Sequence, residues 1–298
     1  MNIRRKPEWL QKRVNPGEQA AMRALLGELR LNTVCQQALC PNISECFRCG
    51  QATFLILGTN CTRLCAFCNV DKAVPLPVDR DEPARVAEAV QRLKLAHVVI
   101  TSPTRDDLAD GGAGLYAATV AAVRAAAPAT RIEPLIPDFQ GDRQSVATVV
   151  QAGPDIIAHN VETVPRLYHI RSGADYGRSL DVLRLCRELA SAIPTKSGIM
   201  LGMGETEEEV VQVLHDLRQM GCAYLSIGQY LAPSRRHYPV QEYVRPEAFE
   251  RLRETALAMG FSHVESGPYV RSSYHAGQYT GDAERIENSR SKLESTPS

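Results

Sequence analysis

Net charge is the first thing this chain lacks, because its 34 basic and 34 acidic residues cancel. Without a sustained positive field, extended binding to nucleic acid or to an anionic membrane surface is not expected. Long apolar runs are also missing, and none approaches the roughly 18 uninterrupted residues of a membrane span. The opening MNIRRKPEWLQKR is basic but has no apolar core, so it does not read as a secretory signal. The expectation is a cytoplasmic protein with neither nucleic acid nor membrane as partner. No exposed heptad pattern is present, so the expected state is a monomer.

Cysteine, in contrast, is concentrated in one region. Seven of the nine (Cys35, Cys40, Cys46, Cys49, Cys61, Cys65 and Cys68) crowd together, and only Cys186 and Cys222 lie elsewhere. In a chain with no export signal, clustered thiols point to metal binding or redox chemistry rather than to disulfides. A chain of 298 residues buries enough surface to need no such staples. Cys186 falls in a helical pattern and Cys222 just before a strand, both read as small core residues.

Beyond the cysteines one pattern repeats: a short apolar run, a loop, then an amphipathic stretch. The predicted strands are Ala52–Leu57, His97–Thr101, Arg131–Ile136, Asp155–His159, Lys196–Leu201 and Ala223–Gly228. The predicted helices are Glu82–Leu95, Gly114–Ala126, Ser145–Gln151, Gly177–Ser191, Thr206–Met220 and Pro246–Met259, with Thr206 as an N-cap ahead of three glutamates. Strands alternating with helices imply a parallel sheet. Six repeats rather than eight give an α/β fold, a partial (β/α)6 TIM-like barrel, with chemistry in the loops after the strands. The expected division is an N-terminal extension (1–51), the barrel (52–260), a C-terminal segment (261–280) and a polar, disordered tail (281–298).

Cys61, Cys65 and Cys68 form a C-x3-C-x2-C triplet directly after the first predicted strand. Three thiolates can hold three irons of a cubane cluster and leave the fourth iron without a protein ligand. An open coordination position lets a metal bind a substrate. The amino and carboxylate groups of S-adenosylmethionine can chelate such an iron, and one electron then breaks a carbon–sulfur bond to give a 5′-deoxyadenosyl radical. The stretch CTRLCAFCN resembles the radical S-adenosylmethionine superfamily, including Phe67 before the last cysteine. GIMLGMGE, Gly198–Glu205, is similar to that superfamily's adenine-contacting stretch, with Met200 where isoleucine is usual. The alternative is a buried strand ending in a helix-capping turn. The resemblance implies Phe67, Asn69, Gly198, Gly202 and Glu205 as cofactor-binding residues. Asn160, at the end of the fourth predicted strand, is a further candidate.

Upstream, Cys35, Cys40 and Cys46 form C-x4-C-x5-C. A second cubane held there also lacks one cysteine ligand, and Cys49, three residues on, is a candidate for it. Taken with VCQQALCPNISEC, CTRLCAFC, TSPTRDDLADGGA, HNVETVPRLY, TKSGIMLGMGET, GQYLAPSRRHYPV and VRSSYHAG, the chain from Lys6 to Tyr279 resembles the lipoyl synthase family. The resemblance implies a radical sulfurtransferase with two [4Fe-4S] clusters that uses S-adenosyl-L-methionine. It inserts two sulfur atoms at C6 and C8 of a protein-bound octanoyl-lysine, carbons that acid–base chemistry cannot reach. By the same resemblance Ser273 is the fourth ligand of an auxiliary, sacrificial cluster, and Cys49 is not a ligand. A hard serine oxygen is poorly matched to a soft cluster, which suits one meant to be dismantled. Implied partners are octanoylated carrier domains (2-oxoacid dehydrogenase E2 and glycine cleavage H protein) and an electron donor such as flavodoxin or ferredoxin. Phe47 stands where the family usually has tryptophan, and Pro103-Thr104 departs from its usual residues.

Several positions have bland alternatives. Lys196 or Arg271 either steers a carboxylate or serves structure. Ser234-Arg235-Arg236-His237 is a small basic patch near the expected mouth that either meets an acidic carrier domain or, as charged turns usually are, is just solvated. Trp9 belongs to a docking arm or packs on the barrel. The rival functions are a methylthiotransferase, a biotin synthase-like enzyme, and a non-catalytic zinc protein, though structural zinc normally has four Cys or His ligands.

Overall fold

The alternating runs become strands and helices in the computed structural model, which describes residues 6–12, 15–274 and 276. In chain order the elements are α1 (Ala20–Glu28), β1 (Asn32–Thr33), α2 (Val34–Gln37), α3 (Ile43–Arg48) and β2 (Thr53–Leu55). They continue with α4 (Glu82–Leu93), β3 (His97–Thr101), α5 (Ala113–Ala126), β4 (Arg131–Leu135), α6 (Arg143–Gln151) and β5 (Ile157–Ala158). The last are α7 (Tyr176–Leu189), β6 (Thr195–Leu201), α8 (Glu207–Gln219), β7 (Tyr224–Gln229), α9 (Pro246–Ala258) and β8 (His263–Gly267). All eight strands belong to one sheet in sequence order; β1 runs antiparallel to β2, and every later pair is parallel. Among the described residues no ladder joins β8 back to β1 or β2, so the barrel stays open.

Local chemistry sets the helix ends. Thr206 caps α8: its hydroxyl accepts from the Glu209 amide and the Glu209 carboxylate accepts from the Thr206 amide at 2.8 Å, a capping box. Helix α4 starts with Pro83 in its first turn, where no N–H is missed, and stops at Lys94 in the left-handed conformation. Side chains alternate across each strand. Val98, Ile100 and Ile132 turn outward into a core with Val86, Val120 and Val149 from α4, α5 and α6. Leu225, Ile227 and Val264 do the same beneath α8 and α9, against Leu214 and Phe249. Among the described residues no helix is long and apolar enough to cross a membrane.

The opposite strand faces line the barrel interior and are polar. The Glu133 carboxylate on β4, fully buried, accepts from Lys196 Nζ on β6 at 2.9 Å and meets His97 Nε2 on β3 at 3.0 Å. Burial alone would raise this carboxyl, but Lys196 and His97 outweigh it and hold it below the usual carboxylate range. Lys196 is therefore a structural cation of the barrel floor.

One boundary needs correction. The sequence placed everything after Phe261 outside the repeat, whereas His263–Gly267 pairs in parallel with β7 and extends the sheet. Its HVESG carries only one outward apolar residue, Val264, because the other face meets the polar interior. The predicted tail from 281 lies outside the described residues.

Replacing Lys196 with Met leaves Glu133 buried without its cation. We expect a loss of about 3–5 kcal/mol in urea unfolding. A loss below about 1 kcal/mol, the worth of an exposed ion pair, would contradict this placement.

Candidate functional site

Cys61, Cys65 and Cys68 lie on the loop that leaves β2, and several backbone bonds shape that loop. The Cys61 amide donates to the Asp71 carbonyl at 2.8 Å, Ala66 donates to Ile170 at 2.8 Å, and Tyr238 donates to Ala66 at 2.8 Å. At its root the Leu57 amide donates to the buried Glu82 carboxylate on α4 at 2.8 Å. Between the first two cysteines stands Arg63, only 7% exposed. Its guanidinium grips both oxygens of Asp106 from the loop after β3 (2.7 and 2.9 Å) and both of Asp138 from the loop after β4 (2.9 and 2.7 Å). Arg178 on α7 supplies a second cation to Asp138 at 2.9 Å. These are paired forks, the strong form of charge-assisted hydrogen bond.

The three thiols act on one another's charge. Burial, and then the neighbouring Cys68 and Cys61, push the Cys65 thiol up to about 11, partly offset by Arg171. Burial also raises Cys68, with Cys61 and Glu162 adding to it and Lys72 opposing it. Such a set becomes thiolate when a positively charged metal group offsets the repulsion. Among the described residues no three His, Cys, Asp or Glu side chains converge on a point that could hold a single metal ion. A cubane places each thiolate on a different iron, so its ligands need not converge.

Beside this loop, at the end of β5, lie Asn160 and Glu162. The Asn160 amide donates to Glu162 at 3.1 Å and to Ser272 at 2.7 Å. Arg171 donates to the Val161 carbonyl at 3.1 Å and to Tyr168. Asn160 Oδ1, Arg171 Nε and His159 Nε2 are buried polar atoms without a partner among the described residues. Unmet buried groups are costly, and a polar ligand at this mouth would satisfy them. Burial pushes the His159 imidazole down to about 4, so it stays neutral at ordinary pH.

The other expected cofactor residues divide. Phe67 packs on the core beneath α8 and α9. Asn69 turns to the upstream cysteine loop, donating to the Gln37 carbonyl at 2.7 Å. Gly198 lies on β6, where a Cβ would come within 2.8 Å of Asn160 Oδ1 and Ser226 Oγ. Glu205 turns both oxygens back on the amides of Gly202 and Met203, shaping the loop after β6.

The upstream triplet gathers at the other end of β2. Cys35, Cys40 and Cys46 act on one another's charge: burial and then Cys40 raise Cys35 to about 11, and burial, Cys35 and Cys40 raise Cys46 to about 12. Thr53, the first residue of β2, hydrogen-bonds Cys35 and also donates to Ser273 Oγ at 2.6 Å. Ser273, 220 residues beyond Thr53, is thus brought beside the triplet. Its segment is anchored by Asn42, which donates to the Tyr269 carbonyl at 2.7 Å, and by Tyr274, which donates to Glu45 at 3.3 Å. The segment also passes so close over Gly228 that any side chain there would strike the Val270 carbonyl. Arg271 lies beside Gly228; burial lowers its pKa, with the charge of Cys40 opposing. Cys49 ends α3 as its C-cap. Sequence reasoning missed Thr53, Arg63, Glu162 and Arg171; only Arg63, set between two cysteines, had a position that could have singled it out.

Comparison with known proteins fits this geometry. The radical SAM superfamily profile matches residues 55–217. Methylornithine synthase shares the fold, with a TM-score of 0.56 at 14% identity over 80% of each chain. So does Streptococcus suis SuiB bound to S-adenosylmethionine, at 0.57 and 9% over 75% of this chain and 53% of that one. The protein is therefore a radical S-adenosylmethionine enzyme. A lipoyl synthase of Geobacter metallireducens is 69% identical over 94% of this chain and 99% of its own length. That of Trichlorobacter lovleyi is 70% identical over 94% and 100%, and that of Caldanaerobacter subterraneus subsp. tengcongensis 55% over 91% and 96%. The chain belongs to the lipoyl synthase family, which sets aside the methylthiotransferase, biotin synthase-like and zinc-protein alternatives.

Asp138 tests the clamp. Burial would raise its carboxyl, but the hydrogen bonds and charge of Arg63 outweigh this and hold it at about 2, against 3.8 ordinarily. Its stabilisation, roughly 2 kcal/mol, is complete above about pH 4 and lost as pH falls toward 2. In cluster-free protein, Asp138→Asn should lower urea stability at pH 6 and flatten its decline below pH 4; an unchanged decline would count against the pairing.

Proposed function

We propose that Cys61, Cys65 and Cys68 hold a [4Fe-4S] cluster whose open iron takes S-adenosylmethionine, and that Cys35, Cys40, Cys46 and Ser273 hold a second, sulfur-donating cluster. The observation that carries this reading is the meeting of Ser273 with Cys35 through Thr53. When bound, these groups supply a 5′-deoxyadenosyl radical at one end of β2 and sulfide at the other, for insertion at C6 and C8 of an octanoyl group on a protein lysine. The chain does the rest. Arg63 and Glu82 hold the radical-side loop to the strands around it. Asn160 and Arg171 offer unmet polar atoms to the polar groups of S-adenosylmethionine. The Gly202–Glu205 turn, held by its own carboxylate, presents backbone edges to the adenine. Thr53 steadies the Ser273 hydroxyl, a weak ligand that can be released.

The finer assignments follow from the same reading. The substrate-bearing partners are octanoylated domains of 2-oxoacid dehydrogenase E2 subunits and glycine cleavage H protein. Flavodoxin or ferredoxin supplies the electron, and the thiol-rich sites suit a reducing, cytoplasmic setting. The described segments before β2 and after β8 then complete the auxiliary site.

Ser273→Ala should still form 5′-deoxyadenosine with an octanoyl-lysyl peptide while sulfur insertion falls about 100-fold. Unimpaired insertion would remove Ser273 from the ligand set. Changing Cys35, Cys40 and Cys46 to Ala should reduce iron from about eight to about four atoms per chain and leave the radical-side cluster's spectrum intact.

A further inference from the structure

Large apolar side chains left in water are ordinary when scattered and informative when gathered. Among the described residues six are exposed, and four of these sit on the cysteine loops: Leu39 (64%), Leu64 (65%), Val74 (84%) and Leu76 (62%). Leu64 lies between Cys61 and Cys65, and Leu39 between Cys35 and Cys40. Val74 and Leu76 follow Cys68 on a strip that folds back, the Val74 carbonyl accepting from Asn60 at 2.8 Å. The two loops are joined where Asn69 reaches the Gln37 carbonyl. A fourth segment meets them: the exposed Arg235 and Arg236 stand on a turn bonded to Ala66 through the Tyr238 amide. Among the described residues neither arginine is paired with a carboxylate.

Resting on the function proposed above, we propose that these side chains form the docking surface for the folded carrier domain that presents the octanoyl-lysine. A lysine arm reaches only a short way from its own backbone, so the domain bearing it must press against the loops that surround the cysteines. The apolar residues give it a contact from which water is excluded, and Arg235 and Arg236 select a carrier whose rim is acidic. An isolated octanoyl-lysyl peptide needs the reaction centre but not this surface.

The test compares those two substrates. With the octanoylated carrier domain, Val74→Ser combined with Leu76→Ser should raise KM about 10- to 100-fold and leave kcat unchanged. Arg235→Glu with Arg236→Glu should raise the same KM and weaken its dependence on salt. Neither variant should change KM or kcat for the peptide. An unchanged carrier KM overturns the docking surface. So does an equal loss on peptide and carrier, which would assign the patch to packing within the chain. An altered elution volume with both activities intact would assign it to a second copy of the chain, and also overturns it. If the unaltered enzyme inserts no sulfur into either substrate, the functional reading itself fails instead.

Discussion

Between Cys61 and Cys65 a guanidinium donates to two carboxylates brought from the ends of two other strands. The loop that carries these cysteines is irregular backbone, and its own bonds, such as that of Cys61 to Asp71, do not tie its path to the other strands. Arg63 ties that path to the loops after β3 and β4, and Arg178 extends the tie to α7. Charge balances within the group, two arginines against two aspartates, so its burial leaves no net charge uncompensated. The loops after β2, β3 and β4 are thus held together around the cysteines.

The C-terminal segment does for the auxiliary site what Arg63 does for the first. It leaves β8, crosses Gly228 of β7, touches Asn160 beyond β5 through Ser272 and reaches Thr53 of β2 through Ser273. Asn160 thus links the strands to this segment: its amide donates to Ser272, while its unmet oxygen is buried against Gly198 of β6. Strand β2 separates the two cysteine triplets, one before it and one after, so a single short strand sets their spacing.

The repeating architecture was readable because outward strand positions and helix faces are apolar, and that periodicity survives in the chain. The cysteine triplets were readable for a different reason: few chemistries need three thiols at such spacing. What could not be read was anything that depends on the polar interior. HVESG does not look like a strand, since its inward residues meet Glu133 and Lys196 territory rather than a hydrophobic core. Lys196 was open to a functional or a structural reading, and only the fold reveals Glu133 beside it. The sequence also could not show that the Glu205 carboxylate accepts from the amides of the turn it belongs to. Long-range pairings such as Thr53 with Ser273 leave no periodic trace at all.

That last pairing also bears on the order of assembly. The three upstream cysteines leave the ribosome early, whereas Ser273, the fourth ligand in the set proposed above, arrives 220 residues after Thr53. Its arrival depends on β7 having formed with a bare glycine for Val270 to cross. A nascent or truncated chain can therefore gather three donors but not four. In the ligand set proposed above, a chain that stops before Ser273 would lack the fourth donor, so completing that set would require β7 and the segment that crosses it.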